Sequence, residues 1–295
     1  WALYTVERFF ESWEQQQLGP EGQKLRWGYL RNATYRPIRR NAGFFSQLST
    51  TLDDLQSLRL PVSKISARSA FEQYRALPGT DSWSRFFARP TSKLAAEDRL
   101  PEHDLHLIDS SLHHADYSLV NLDAYQMLLQ TFFRPSRRVL EREAHFVSTY
   151  EIDAQQIIAV NVRGTDKWKE IKPSPIERYL SLAEHALENH QSSKLLVVTD
   201  QAQFLEAFRN RFPRSVISID ELPVSSQFEN PVHRNLRRSD REAFAIDFLA
   251  VVRIMASAKL ILTHTGNVAF WTVLFRGNAS GVVQLRADEV LGSFE

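Results

Sequence analysis

The sequence NVRGTDK, residues 161–167, follows an apolar run at 157–160 and carries an arginine, an aspartate and a lysine. The guanidinium of Arg163 offers planar, forked N–H donors that suit phosphate oxygens, and it stays charged at every relevant pH. An arginine after a strand is often only a solvated surface charge, so two interpretations stand. Asp166 is expected to orient Arg163 or to cap a turn.

A second polar sequence, THTGN at residues 263–267, ends another apolar run and precedes a helical pattern that begins near Val268. The first N–H groups of a helix lack partners within the helix and lie at the positive end of its dipole. Gly266 allows a ligand to approach the backbone closely, and Thr265 and Asn267 can donate a hydrogen bond or cap the helix. An arginine facing this helix start would bind a diphosphate; an ordinary capped helix is the alternative.

Both sequences lie in the more regular half of the chain, where short aliphatic runs alternate with helical patterns. The predicted strands are 157–162, 195–199, 216–219, 260–263 and 282–285, and the predicted helices are 175–190, 201–211, 239–257 and 266–276. This alternation predicts a parallel sheet with helices on both faces, and ligands bind at the carboxyl ends of such strands. We therefore expect both polar sequences to border one crevice, with Asp200 as a structural residue at a third strand end.

The first half of the chain is less regular and is interpreted as an irregular α/β domain. It is predicted to contain helices at 3–18, 44–58 and within 119–149, and strands at 61–65 and 105–108. Pro135 is predicted to break the last of these helical patterns, because proline cannot continue a helix. The domain boundary is placed between residues 150 and 151.

Composition limits the possible functions of the 295 residues. With 36 Lys and Arg against 35 Asp and Glu, the chain lacks the basic excess typical of nucleic-acid binding. Because it has no cysteine, disulfides and thiolate metal sites are excluded, and its 9 histidines show no metal-binding spacing. No apolar run reaches the roughly 18 residues of a membrane span. A start at Trp1 rather than Met fits a fragment of a longer protein.

The segment 161–167 resembles the His-x-Arg-Arg-x-Asp-Lys motif of the α1,6-, α1,2- and protein O-fucosyltransferases, a superfamily that includes the rhizobial nodulation-factor enzymes. Residues 194–200 resemble the next strand and Thr-Asp turn of these enzymes, and 247–268 resembles their last motif. Upstream, 43–48 is similar to their N-terminal glycine loop. The resemblance covers roughly residues 40–285 and is patchy in the first half.

Three residues depart from the family pattern. Asn161 stands where the family has histidine, Gly164 replaces the second arginine, and Phe45 replaces a common second glycine. Arg163 matches the arginine that the family uses on the β-phosphate of the donor. Donor binding is therefore expected, although these departures leave the sugar and the nucleotide open.

The resemblance implies a GT-B-like α/β fold with two Rossmann-like domains, of which the second is a doubly wound parallel sheet. Residues 1–150 would form the acceptor-side domain, and residues 151–295 would bind the nucleotide sugar. It also implies an inverting transferase that uses GDP-fucose without a metal or another cofactor. The implied donor-binding residues are Asn161, Arg163, Asp247, Thr265, Gly266 and Asn267, and the acceptor-side residues are Gly43, Phe44 and Gln47.

Glycosyl transfer also needs groups that act on the leaving diphosphate and on the attacking hydroxyl. Arg163 and the helix start would stabilise the charge that grows on the diphosphate, in place of a metal. A positioned carboxylate must take the proton of the hydroxyl, and Glu170 is the candidate base, with an exposed loop carboxylate as the alternative. Lys167 either reaches the acceptor side or is solvated.

The basic segment 233–241 precedes the helical pattern at 239–257. Ser239 and Glu242 have the spacing of a capping box, which predicts a helix start there. Arg237 and Arg238 either close over the donor or belong to a solvated loop.

Two other functions remain open at this point: a glycosyltransferase with a different nucleotide sugar, and a non-catalytic protein that binds carbohydrate or nucleotide. The acceptor, which is a glycan or another hydroxyl compound, stays open. The compartment stays open too: the cytoplasm in a bacterium, or the lumen of the secretory pathway in a eukaryote.

Overall fold

A computed structural model of the protein describes residues 43–57, 71, 74, 82–88, 112–163, 174–226, 232–287 and 289–294. The predicted helix at 3–18 and the predicted strands at 61–65 and 105–108 lie outside these residues. Within the described ranges, no helix has both the length and the hydrophobicity that a bilayer crossing requires.

The described part of the first half is helical. Its elements are α1 (Phe44–Ser57), α2 (Trp83–Phe86), two 3-10 turns (Leu112–His114 and Tyr117–Leu119), α3 (Asp123–Phe132) and α4 (Arg137–Thr149). The predicted break at Pro135 is confirmed, since α3 ends before it and α4 begins after it. Ser136 caps α4: its hydroxyl accepts the Val139 N–H at 3.4 Å and donates to the Arg85 carbonyl at 2.7 Å.

The second half forms a six-stranded sheet with the order β3-β2-β1-β4-β5-β6. Its strands are β1 (Ile157–Val162), β2 (Lys194–Thr199), β3 (Val216–Ile217), β4 (Leu260–His264), β5 (Val282–Arg286) and β6 (Glu289–Gly292). The connecting helices are α5 (Ile176–Asn189), α6 (Ala202–Arg211), α7 (Val232–Asn235), α8 (Arg241–Ser257) and α9 (Asn267–Arg276). The first five strands are parallel, as predicted, and β6 adds an antiparallel edge that the sequence analysis missed.

Helices cover both faces of the sheet. In β1, Ile158 and Val160 pack with residues of α5 and α6, whereas Ile157 and Ala159 pack with residues of α4, α8 and α9. All six residues of β1 are buried, which is typical of a parallel strand between two helical layers. The doubly wound α/β fold is thereby confirmed for the second half.

The described helices of the first half share one apolar core with α8, α9 and one face of the sheet. Helix α4 lies beside α8, and charged pairs join the two helices: Arg138 with Glu242, Arg142 with Asp247, and Glu143 with Arg253. The division at residue 150 and the Rossmann-like nature of residues 1–150 stay predictions.

Candidate functional site

The strand order reverses between β1 and β4. From β1 the chain continues to β2 and β3 on one side, and it then returns to place β4 and β5 on the other side. The carboxyl ends of β1 and β4 are neighbours, because Asn161 is paired with Thr263. In doubly wound sheets ligands bind at this reversal. The two polar sequences thus begin side by side at the expected crevice.

Arg163 directly follows β1, and strand alternation puts it on the same face of the sheet as Asn161. Its Nε atom lies 3.5 Å from Oδ2 of Asp200, and the two side chains are only 25% and 20% exposed. Asp200 follows the neighbouring strand β2, so its carboxylate holds the guanidinium at the carboxyl edge of the sheet. A guanidinium carries five N–H donors, so this ion pair is compatible with phosphate binding through others.

Asn161 joins the ends of the two central strands. Its side-chain N–H donates to the hydroxyl of Thr263 at 3.3 Å, and the Asn161 residue is 4% exposed. The main-chain carbonyl oxygen of Asn161 lies 3.2 Å from Nδ1 of His264. Because a carbonyl oxygen can only accept, we assign the proton of this hydrogen bond to Nδ1. Asn161 therefore has a structural role here, and its contact with a donor stays a prediction.

The turn from β4 to α9 depends on a glycine. Gly266 has φ 152° and ψ 175°, a conformation that is essentially restricted to glycine. The first hydrogen bond of α9 runs from the Phe270 N–H to the Gly266 carbonyl at 2.9 Å. The N–H groups of Asn267, Val268 and Ala269 therefore stand at the positive end of the helix dipole, before the intrahelical ladder begins.

The side chains on both sides of Gly266 support this turn. The Thr265 hydroxyl accepts from Nε2 of Gln284 at 3.1 Å, and Thr265 is 1% exposed. Oδ1 of Asn267 accepts from the hydroxyl of Ser49 at 2.6 Å. That hydroxyl in turn accepts from the indole N–H of Trp271 at 3.0 Å. The predicted donor contacts of Thr265 and Asn267 stay predictions.

Asp247 lies on α8 and faces α4. Its Oδ1 atom accepts from Nε of Arg142 at 2.5 Å, and the Arg142 guanidinium lies 4.5 Å from the centre of the Phe146 ring. The predicted nucleotide contact of Asp247 would have to use its remaining acceptor capacity, and it stays a prediction.

The three acceptor-side candidates lie at the start of α1. The Gln47 N–H donates to the Gly43 carbonyl at 3.0 Å. Phe44 is 3% exposed, and its ring centre lies 4.8 Å from that of Phe86 and 5.1 Å from that of Phe71. Phe44 is thus a core residue. Helix α1 also carries Ser49, which donates a hydrogen bond to Asn267, so α1 adjoins the start of α9.

Several candidates fall outside the described residues, namely Gly164, Asp166, Lys167 and Glu170. In the part of the chain that the structure describes, no group of three or more His, Asp or Glu side chains could hold a metal ion.

The predicted capping box is wrong. Helix α8 begins at Arg241 with Asp240 as N-cap, and Ser239 donates to Asp240 at 2.8 Å. Glu242 is drawn away from the cap, because its carboxylate lies 3.7 Å from Arg85 and 3.6 Å from Arg138.

Three further residues support the site and were not predicted from the sequence: Ser49, Tyr117 and Gln284. Tyr117 contacts the backbone of Gly266, and Gln284 is a buried amide in the apolar run of β5. A glutamine in a run of aliphatic residues was a usable signal for Gln284. Ser49 and Tyr117 carry no comparable local signal.

Comparisons with solved structures place this geometry in a known fold. A selenomethionine crystal structure of fucosyltransferase NodZ from Bradyrhizobium has a TM-score of 0.52 and 14% sequence identity, over 88% of this chain and 97% of that chain. NodZ α-1,6-fucosyltransferase soaked with GDP-fucose has a TM-score of 0.51 and 13% identity, over 86% and 95% of the two chains. The sequence matches none of the family models and none of the curated proteins with which it was compared.

The strand order, the reversal between β1 and β4, and this structural similarity agree with one another. The protein therefore has the α/β fold of the GT-B fucosyltransferases that its sequence resembles.

Proposed function

We propose that the protein is a metal-independent, inverting glycosyltransferase that transfers fucose from GDP-fucose to a hydroxyl group of a glycan or another acceptor. The observation that carries the proposal is the position of Arg163 at the strand-order reversal, directly after β1 and on the face of the sheet that packs against α9. The similarity to the fold of a fucosyltransferase that was soaked with GDP-fucose supports it.

The proposed reaction needs positive charge at the leaving group. The acceptor oxygen forms a bond to the anomeric carbon while the bond from that carbon to the β-phosphate oxygen breaks. The electron pair leaves with GDP, where Arg163 and the dipole at the start of α9 stabilise the negative charge. Losing one such contact typically raises the barrier by about 3 kcal/mol, roughly a hundredfold in rate. These groups take the place that a divalent cation occupies in metal-dependent transferases.

The remaining predicted residues have distinct roles in this proposal. Glu170 accepts the proton of the attacking hydroxyl, and Lys167 reaches the acceptor side. Asp247 hydrogen-bonds the nucleotide base, while Gly43 and Gln47 contribute to the acceptor side.

The role of Arg163 is tested by calorimetric titration of GDP and GDP-fucose. An ionic hydrogen bond contributes about 1.5–3 kcal/mol, so Arg163→Ala should weaken GDP binding roughly ten- to hundredfold. The matched control is Arg209→Ala, because Nη2 of Arg209 lies 3.5 Å from Asp220, the same separation as in the Arg163–Asp200 pair. The control should bind GDP as the wild type does. Equal GDP affinity in Arg163→Ala and the wild type would contradict the proposed role of Arg163 in binding the donor phosphate.

The departures from the family motif motivate two other functions, which thermal melting with a panel of nucleotide sugars and an assay of transfer and hydrolysis separate. Asn161 replaces the family's histidine, and its amide bonds to Thr263 within the sheet. If another nucleotide sugar, but not GDP, raises the melting temperature, the protein is a glycosyltransferase with a different donor. If GDP-fucose binds without transfer or hydrolysis, the protein is a non-catalytic binding protein.

A further inference from the structure

Tyr117 connects the first half of the chain to the start of α9. Its hydroxyl oxygen accepts the N–H of Gly266 at 3.0 Å. Its single proton is shared between two carbonyl oxygens, that of His113 at 3.0 Å and that of Gly266 at 3.2 Å. One hydroxyl therefore contacts both backbone groups of the glycine that precedes α9.

The position of Tyr117 is itself fixed by Gln284 of β5. Oε1 of Gln284 accepts the Tyr117 N–H at 3.1 Å, and Nε2 donates to the Ala115 carbonyl at 2.8 Å. The same Nε2 lies 3.1 Å from the hydroxyl of Thr265. Gln284 thus holds Tyr117 and the residue before Gly266 in one hydrogen-bonded network. A buried amide with both ends engaged keeps its neighbours in a defined geometry.

The Tyr117 hydroxyl remains neutral across the ordinary pH range. Burial of the side chain raises its pKa well above the usual 10.0 for tyrosine, although the hydrogen bond to Gly266 opposes this shift. A neutral phenol can accept from the Gly266 N–H and donate its proton at the same time. The ring is 1% exposed, so no bulk water competes for these contacts.

This arrangement decides which N–H groups remain for an anion. The Gly266 N–H is already bonded to Tyr117, and the intrahelical ladder starts at the Phe270 N–H. The N–H groups of Asn267, Val268 and Ala269 lie between these two bonds. They follow the carboxyl end of β4, which is paired with the carboxyl end of β1, and Arg163 directly follows β1.

We propose that Tyr117 is a positioning residue for the donor diphosphate. Tyr117 holds the Gly266 peptide so that the next N–H groups of α9 meet the phosphate oxygens beside Arg163. The inference rests on the proposed function. It adds a residue from the first half of the chain to the donor site, and it assigns the Gly266 N–H to Tyr117 instead of to the ligand.

The test compares the affinities of GDP and GMP in Tyr117→Phe, which keeps the ring and removes the hydroxyl. Loss of one neutral hydrogen bond should weaken GDP binding about five- to tenfold. GMP, which lacks the β-phosphate, should lose less than about twofold if the contact acts mainly at the second phosphate. A general loss of structure would weaken both ligands alike. Tyr179→Phe is the control, because Tyr179 is also buried but lies on α5 at the opposite face of the sheet.

A second measurement uses the wild type and does not depend on how any variant folds. In amide hydrogen exchange resolved to single residues, the Gly266 N–H should be protected equally with and without GDP. The N–H groups of Asn267 and Val268 should gain protection when GDP binds.

The outcomes separate this inference from the proposed function. If the wild type binds GDP, but the GDP-to-GMP affinity ratio is the same in Tyr117→Phe, the role of Tyr117 is overturned and the proposed function stands. Strong additional protection of the Gly266 N–H by GDP would overturn the inference as well. If the wild type binds no GDP, both the proposal of GDP-fucose as the donor and the positioning role of Tyr117 are wrong.

Discussion

Replacement of Gly266 by alanine is expected to weaken donor binding through backbone strain. At φ 152° and ψ 175°, a residue with a Cβ atom is strained by about 1–3 kcal/mol. The turn can relax by moving the Gly266 N–H away from Tyr117, which breaks a 3.0 Å hydrogen bond with a net value of about 1 kcal/mol. The strain energy of the original turn and the energy of the hydrogen bond are similar in size. The Gly266→Ala variant should therefore populate a relaxed turn in which this hydrogen bond is broken.

This relaxation should appear in both stability and affinity. The free energy of unfolding in urea should fall by about 1 kcal/mol, the value of the broken hydrogen bond. A ligand that requires the original turn must supply the rest of the strain, about 1–2 kcal/mol, so the dissociation constant for GDP should rise by a factor of roughly 5 to 30. Titration calorimetry and urea unfolding, performed on the same preparation, measure the two quantities.

Gly277→Ala is the matched control at the other end of α9. Gly277 has φ 80° and ψ −1°, and an added Cβ would lie 3.2 Å from the flexible end of Gln126. A left-handed conformation costs alanine about 1–2 kcal/mol, so this variant should be destabilised comparably. Its GDP affinity should nevertheless match that of the wild type. Equal loss of affinity in the two variants, or no loss in Gly266→Ala, would refute the reasoning.

Two further predictions concern the catalytic base and the buried tyrosines. Glu170→Gln should lower kcat, measured by GDP release, by a factor of about 10² to 10⁴. The dissociation constant for GDP, measured by calorimetry, should stay unchanged. An unchanged kcat would exclude Glu170 as the base. Burial raises the pKa of Tyr117 and of Tyr179 above 10.0, so their stabilising contribution is complete below pH 10 and is lost as the pH rises further. The free energy of unfolding should then fall by about 1.4 kcal/mol between pH 9 and pH 11 for each tyrosine, because the full slope applies only above pH 10, and urea unfolding at these two pH values measures this fall. Replacing either tyrosine by phenylalanine should make the fall less steep, and equal slopes would contradict the assignment.

The sheet was predictable from sequence because its signals are local. Runs such as Ile157–Val162 are aliphatic on both faces, and a helical pattern separates each run from the next. The topology rule for doubly wound sheets then places the ends of β1 and β4 together without any knowledge of side chains. Arg163 and Gly266 were found in this way, since Arg163 directly follows one predicted strand and Gly266 lies in the short turn after another.

The supports of the site were not predictable, because they come from distant parts of the chain. Tyr117 and Gly266 are separated by 149 residues, and Ser49 and Asn267 by 218. Periodicity and spacing carry no information about such contacts. The failed capping box has the same cause: Glu242 has the right spacing from Ser239, but Arg85 and Arg138 attract its carboxylate.

These long-range contacts connect donor binding to the first half of the chain. Every residue predicted to contact the donor lies after residue 150, yet the turn that presents the α9 N–H groups is held by Ser49 and Tyr117. A change in α1 that moves Ser49 either shifts Asn267 or breaks the 2.6 Å hydrogen bond between their side-chain oxygens. The acceptor-side candidates Gly43 and Gln47 belong to the first turn of that helix or directly precede it. We therefore expect occupation of the two sides to be energetically coupled through this hydrogen bond, and a GDP dissociation constant that is the same with and without bound acceptor would contradict this expectation.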